Sequence, residues 1–149
     1  MSFDIDASWG DTPGIIFAGG IVEAGAGLYK ATDSVDVLKE ESVDSEGIVG
    51  AQNLITSNLV QSRFDMSSCC YKHICVFAGG QLSLAGYYSD RIDIWDGHSM
   101  SWSNNDRLSE ARFGMGTALL KTPLNNGKNT MLGFFAGGWG ALGNHLLID

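Results

Sequence analysis

The chain has 149 residues, of which 44% are hydrophobic, 10% aromatic and 17% charged. That is enough apolar material for one core, and it is not the composition of a disordered polymer. Seventeen acidic residues against nine Lys and Arg leave a net charge of −8, a field that repels phosphate backbones and anionic lipid surfaces, so nucleic acid is not an expected partner.

The opening Met1-Ser2-Phe3-Asp4-Ile5-Asp6 has neither the basic start nor the apolar stretch of a signal peptide, and no apolar run approaches the roughly 18 residues of a membrane helix. The expectation is a soluble, cytoplasmic chain without membrane insertion. Twenty glycines against two prolines, set beside β-branched and aromatic residues without a collagen-like period, favour many short strands joined by tight turns.

Residues 1–13 read as an acidic N-terminal segment. Asp4-Ile5-Asp6-Ala7-Ser8 begins like a calcium loop, but the turn glycine arrives one position late at Gly10, and Ile15 stands where the bidentate Glu is required. Strand-forming material starts at Gly14 and runs to Ala18, where Gly19 and Gly20 stop it. A loop from Ile21 to Thr32 leads to Ser34-Val35-Asp36-Val37, whose alternation predicts a half-buried strand. Residues Glu40 to Asn53 read as an insertion, after which Leu59-Val60-Gln61-Ser62-Arg63-Phe64 links to an apolar stretch from Asp65 to Cys69.

A second round begins at His73. The run to Ala78 stops at Gly79 and Gly80, the loop Gln81 to Ser89 follows, and Arg91-Ile92-Asp93-Ile94-Trp95-Asp96 alternates apolar with polar residues. Trp102 comes next, then Leu108-Ser109-Glu110-Ala111-Arg112-Phe113 and the apolar stretch Gly114 to Leu120. Asn125-Asn126-Gly127 tolerates positive φ and predicts a hairpin turn. A third run, Met131 to Ala136, stops at Gly137 and Gly138, and the chain closes on Leu146-Leu147-Ile148-Asp149.

The three Phe-Ala-Gly-Gly cores, at Phe17, Phe77 and Phe135, are 60 and 58 residues apart, which makes the chain an internal repeat. A strand ending in Gly-Gly, an apolar-Asp-apolar strand, a following Trp and a Leu-x-x-x-Arg-aromatic link together resemble the kelch repeat. The likeness spans residues 14–149 and is clearest from Phe77 to Leu120. It departs in the first round, where no Trp lies between Val37 and Arg63 and the Asp36-to-Arg63 spacing is 27 residues against 19 from Asp93 to Arg112.

The resemblance implies an all-β fold of four-stranded antiparallel propeller blades, with repeats starting near residues 14, 73 and 131, and a role in protein binding. Its structural positions would be Phe17, Phe77 and Phe135 filling one inter-blade layer; Gly19, Gly20, Gly79, Gly80, Gly137 and Gly138 serving turns and close packing; Arg63 and Arg112 fixing the repeat by hydrogen bond or ion pair; and Trp102, with Trp95, as packing aromatics. Meander geometry puts the loops after each Gly pair at one end together with the Arg links, and the remaining turns at the other.

Chemistry is less well supported. Cys69, Cys70 and Cys75 form the densest cluster of potential ligands. A hairpin there would set Cys69 across from Cys75, but no second cysteine pair completes a tetrahedral site; reduced thiols are the simplest reading, with a labile disulfide as the alternative. Gly127-Lys128-Asn129-Thr130 has Thr122 where a phosphate loop needs its first glycine. His73, His98 and His145 are scattered, without a nucleophile elbow or paired carboxylates, and no Tyr, His and Cys set matches the copper oxidases that some kelch-like propellers are. The sequence therefore predicts no catalytic residue, metal site or cofactor.

Propellers close with about four to eight blades, whereas this period gives about two and a half. The expected function is a non-catalytic interaction or scaffold module, completed by protein partners or self-association. The alternatives are a structural subunit of a large assembly and, less favoured, a fragment of a kelch-like enzyme.

Overall fold

A computed structural model describes residues 8–9, 12–39, 54–123 and 129–140. The described residues form fourteen strands and no helix, so the protein is all-β, and no helix is long and apolar enough to cross a membrane. The acidic stretch Asp4-Ile5-Asp6, the insertion Glu40–Asn53, the turn Asn125-Asn126-Gly127 and the strand Leu146–Asp149 lie outside the described residues, as does His145.

The first sheet is an antiparallel meander of β1 (Ser8–Trp9), β2 (Thr12–Gly25), β3 (Leu28–Lys39) and β4 (Ile55–Asn58), in that order. The second contains β5 (Ser67–Tyr71), β6 (Ile74–Ala78), β9 (Ile92–Asp96) and β10 (Ser101–Ser103), also neighbours in chain order. A small hairpin of β7 (Gln81–Ser83) and β8 (Tyr87–Tyr88) stands out between β6 and β9. The last elements are β11 (Arg112–Phe113), β12 (Gly116–Pro123), β13 (Asn129–Ala136) and β14 (Trp139–Gly140), with β12 paired to β13 and β11 to β14. We refer to β1–β4, β5–β10 and β12–β14 as units 1, 2 and 3.

The repeat in sequence is a repeat in register. Phe17 pairs with Asp36 in unit 1 as Phe77 pairs with Asp93 in unit 2, and Ser68 pairs with Phe77 as Thr117 pairs with Phe135. The links follow the same rule. Leu59 N–H donates to the Asp33 carbonyl at 2.8 Å and Leu108 N–H to the Asp90 carbonyl at 2.7 Å, while Arg63 N–H reaches Thr32 and Arg112 N–H reaches Ser89, both at 3.1 Å. Phe64 bridges to Gln81 as Phe113 pairs with Trp139.

Strand alternation sorts the side chains into two cores. In β6 and β9, Cys75, Phe77 and Trp95 face unit 1, where they pack with Val35, Val37 and Leu59, and with Ile16 and Ala18 at the margin. Cys69, Val76 and Ala78 face the other way and pack with Phe135, Met115 and Leu108, with Ile92, Ile94 and Leu119 at the margin. Unit 2 is thus sandwiched, since a lone sheet cannot bury both of its faces.

Three expectations change. The first sheet reaches back to Ser8 and β2 is already extended at Thr12, so the boundary at residue 14 falls inside a strand. β2 also runs through its Gly pair, absorbing it as a register shift between Ala18 and Gly20 and continuing with β3 into a long hairpin where a loop was expected; β6 and β13 end at the Gly pair as anticipated. Finally, Phe77 and Phe135 are buried whereas Phe17, though equivalent in register, is only half-buried, because it lies on the face of unit 1 turned away from unit 2.

The Gly pairs are sockets for the following link. Gly20 N–H and Gly80 N–H donate to the carbonyls of Arg63 and Arg112, both at 2.8 Å. Gly79 has φ +65°, and a Cβ there would lie 2.2 Å from the Arg112 carbonyl oxygen; at Gly19 the corresponding approach to the Arg63 oxygen is 2.3 Å. Gly114 has nearly the same φ, +66°, but open space around it. Gly79→Ala is therefore expected to lose more than about 3 kcal/mol of unfolding free energy by backbone collision, and Gly114→Ala only about 1 kcal/mol of left-handed strain, as measured by denaturant titration.

Candidate protein-binding surface

One buried ion pair positions the surface. The Arg63 side chain leaves the link after unit 1 and is fully buried against unit 2. Its Nη1 donates to the Gly79 and Arg91 carbonyls, both at 2.9 Å, and its Nη2 donates to Asp93 Oδ2. One guanidinium thereby ties the Gly-Gly end of β6 to the start of β9, on either side of the β7–β8 hairpin. Burial pushes Arg63 down from its ordinary value and Asp93 up from its own, while their mutual attraction opposes both displacements.

Arg112 repeats the placement and is buried, and it makes local contacts. Nη2 donates to Ser109 Oγ at 3.2 Å, Nε to the Glu110 carbonyl at 3.4 Å, and the Glu110 carboxylate is 4.0 Å away.

Removing one member of a buried pair strands the other. Arg63→Met is expected to cost about 3–5 kcal/mol, and adding Asp93→Leu to recover most of that loss, because the uncompensated charge disappears. Urea denaturation of the two variants checks both.

Beyond these anchors the hairpins carry a large exposed apolar surface. Leu28 and Tyr29 on the β2–β3 hairpin, Leu84 and Tyr87 on the β7–β8 hairpin, and Trp139 after the third Gly pair are each between 58% and 68% exposed. The first two hairpins adjoin through β3 and β7, and Tyr88 stacks on Phe113 with ring centroids 5.1 Å apart, holding the second hairpin to the link into unit 3. Scattered exposed apolar residues are ordinary; these are grouped on the hairpins and the strand that follow successive Gly pairs.

Acids outnumber bases around it. Glu23, Asp33, Asp65, Asp90, Asp106 and Glu110 stand against Lys30, Arg91 and Arg107 on the hairpins and links, where the two further arginines, Arg63 and Arg112, are buried. Asp65 accepts from Gln81 Nε2 at 2.8 Å and Asp90 pairs with Arg107 at 2.5 Å. Beside this end, between units 1 and 2, a cleft of about 300 Å³ is lined by Phe17, Gly19, Phe64, Asp65, Met66 and Phe77 among others. Among the described residues its lining holds one carboxylate, Asp65, and one hydroxyl residue, Ser68.

Trp102 packs between units 2 and 1. It is half-buried, tilted against Trp95 at 4.9 Å and Phe77 at 5.9 Å between centroids, and its Nε1 donates to Ser57 Oγ of unit 1 at 2.9 Å.

The cysteine expectation is corrected. The β5–β6 hairpin turns on Lys72 and His73, so Cys70 stands opposite Cys75 and Cys69 opposite Val76. Cys70 and Cys75 are joined as a disulfide with Cα atoms 4.1 Å apart, and Cys69 is buried on the other face, outside that disulfide. The expected Cys69–Cys75 juxtaposition fails by one residue of register, which in a strand means the opposite face. Denatured without reductant, the chain should take up one equivalent of iodoacetamide, and after reduction three, as read by intact mass.

Register also brings together residues that are far apart in sequence. His73 and His98 meet at the opposite end with ring centroids 5.7 Å apart, and His73 Nε2 is 3.8 Å from Asp96. Burial's upward push on Asp96 is outweighed by hydrogen bonds from the His98 and Ser99 N–H groups and the Ser99 hydroxyl, which hold its carboxyl below the usual carboxylate range. Among the described residues no group of three or more His, Cys, Asp or Glu is arranged to hold a metal ion.

No protein-family model matches the chain, and no curated protein matches it significantly.

Proposed function

We propose that this chain is a non-catalytic protein-interaction and scaffold module built from kelch-type blades, which binds its partner through the end that carries the Gly-Gly hairpins. The observation that carries the reading is the exposure of Leu28, Tyr29, Leu84, Tyr87 and Trp139 on the hairpins and the strand that follow the Gly pairs, above links anchored by Arg63 and Arg112. Rigid aromatic and aliphatic anchors on a fixed frame are what protein recognition uses. The blade assignment is supported by the antiparallel meander of each four-stranded sheet and by the identical register of the Phe and Asp positions in units 1 and 2.

The excess of acids around the patch selects a partner segment with apolar anchors flanked by Lys or Arg. The Cys70–Cys75 disulfide favours an oxidising compartment over the cytoplasmic setting expected from the sequence. A structural role within a larger assembly is the second reading, favoured by the apolar outer face of unit 3, where Leu120, Leu132 and Phe134 are exposed.

Peptides selected from a displayed random library against the intact chain should be rich in basic and aromatic residues. Leu84→Glu with Tyr87→Glu should weaken their binding at least about tenfold, with far-UV circular dichroism unchanged. Unchanged binding by that double variant would overturn the reading.

A further inference from the structure

The two outermost sheet faces of the molecule are the two halves of a contact that the chain already makes twice. Between units 1 and 2, one side of the contact is Ile16, Ala18, Val35 and Val37, and the other is Cys75, Phe77 and Trp95, with Asp93 beside them. Between units 2 and 3 the first side is Cys69, Val76, Ala78 and Ile74, and the second includes Phe135 and Leu119. In both, the following face of one unit packs on the preceding face of the next, so the contact is heterologous.

The faces left over can be assigned through the shared register. Phe17 and Asp36 pair as Phe77 and Asp93 do, so Ile15, Phe17, Asp36 and Leu38 form the preceding face of unit 1, equivalent to Cys75, Phe77, Asp93 and Trp95. Thr117 pairs with Phe135 as Ser68 pairs with Phe77, so Ala118, Leu120, Leu132 and Phe134 form the following face of unit 3, equivalent to Cys69, Tyr71, Ile74 and Val76. Inside the chain the equivalents Cys69, Cys75, Phe77, Asp93, Trp95 and Val76 are buried, while Ile74 is half-buried and Tyr71, at the rim of the contact, is 37% exposed. At the two ends Ile15, Leu120, Leu132 and Phe134 are between 38% and 53% exposed, and Leu120 and Leu132 sit directly opposite each other on adjacent strands.

We propose that a second copy of this chain covers them, the following face of unit 3 in one molecule packing on the preceding face of unit 1 in the next. A second copy is the occupant because each outer face, exposed at Ile15 on one and at Phe134 on the other, is the positional counterpart of a surface that already has its mate within the chain, and both mates are carried by every molecule. The contact is head-to-tail, so it propagates until geometry closes it into a ring or leaves it as a filament. The inference rests on the interaction-module reading and extends it, using the lateral faces of the sheets and leaving the hairpin end free.

Sedimentation velocity over a range of concentrations tests it. The wild-type chain should associate, and Ile15→Asp and Phe134→Asp should each run as a monomer. Mixing the two variants should restore a one-to-one dimer and nothing larger, because each molecule then has one intact face. Leu132→Lys, at a more exposed position whose counterpart Ile74 packs in the internal contact, serves in place of Phe134→Asp if circular dichroism shows that variant misfolded.

A wild-type chain that is monomeric throughout, association that survives both variants, or a mixture that stays monomeric overturns the proposal. Leu84→Glu with Tyr87→Glu should leave self-association untouched. Loss of peptide binding with assembly intact is thus separable from loss of assembly with peptide binding intact.

Discussion

The Arg63 guanidinium is the joint on which the rest depends. It is the longest side chain the link can send across, it carries enough donors to take two carbonyls and a carboxylate at once, and it finds all three at one point of unit 2. The carbonyls of Gly79 and Arg91 and the carboxylate of Asp93 belong to the ends of two strands that the β7–β8 hairpin would otherwise splay apart. Desolvating both charges works against the pair, and the hydrogen bonds to backbone oxygens are what make the burial tolerable. A packed aliphatic residue would fill the space without fixing the direction from which the link enters.

Around that joint the glycines act through absence. The link's backbone passes so close to β2 and β6 that a methyl group at Gly19 or Gly79 would occupy the carbonyl's own position. Close approach allows the N–H of the next glycine to bond the same carbonyl, so each Gly pair both receives and orients the following link. Met66 and Met115 fill the remaining irregular space with the most adaptable of apolar side chains. The hairpins beyond the Gly pairs are thereby held at their bases and left exposed at their tips, a division suited to recognition.

The same repetition leaves a molecule with unsatisfied ends. Unit 2 has a neighbour on each side and buries Phe77, Trp95, Val76 and Ala78. Among the described residues unit 1 and unit 3 each have one, and their outer faces keep Ile15 and Phe134 in contact with water. Nothing in the local sequence distinguishes these residues from their buried counterparts. The difference is one of position in the series, as expected of an architecture stabilised by contacts between neighbouring repeats.

The sequence by itself determined the all-β class, the repeat, the strand cores and the positions that recur. Gly pairs, alternation and the Arg-aromatic links are local signals, and the residues they mark, from Gly79 and Phe77 to Arg63, lie where the strand pattern puts them. Tertiary structure decided what depends on register and on neighbours. Parity at the Lys72–His73 turn paired Cys75 with Cys70 instead of Cys69 and brought His73 against His98. The same dependence chose Asp93 as the partner of Arg63, 30 residues away, and left Phe17 half-buried while Phe77 and Phe135 were enclosed. A strand's sequence states that its side chains alternate. Only its pairing states which face each set takes, and only the next unit states whether that face is covered.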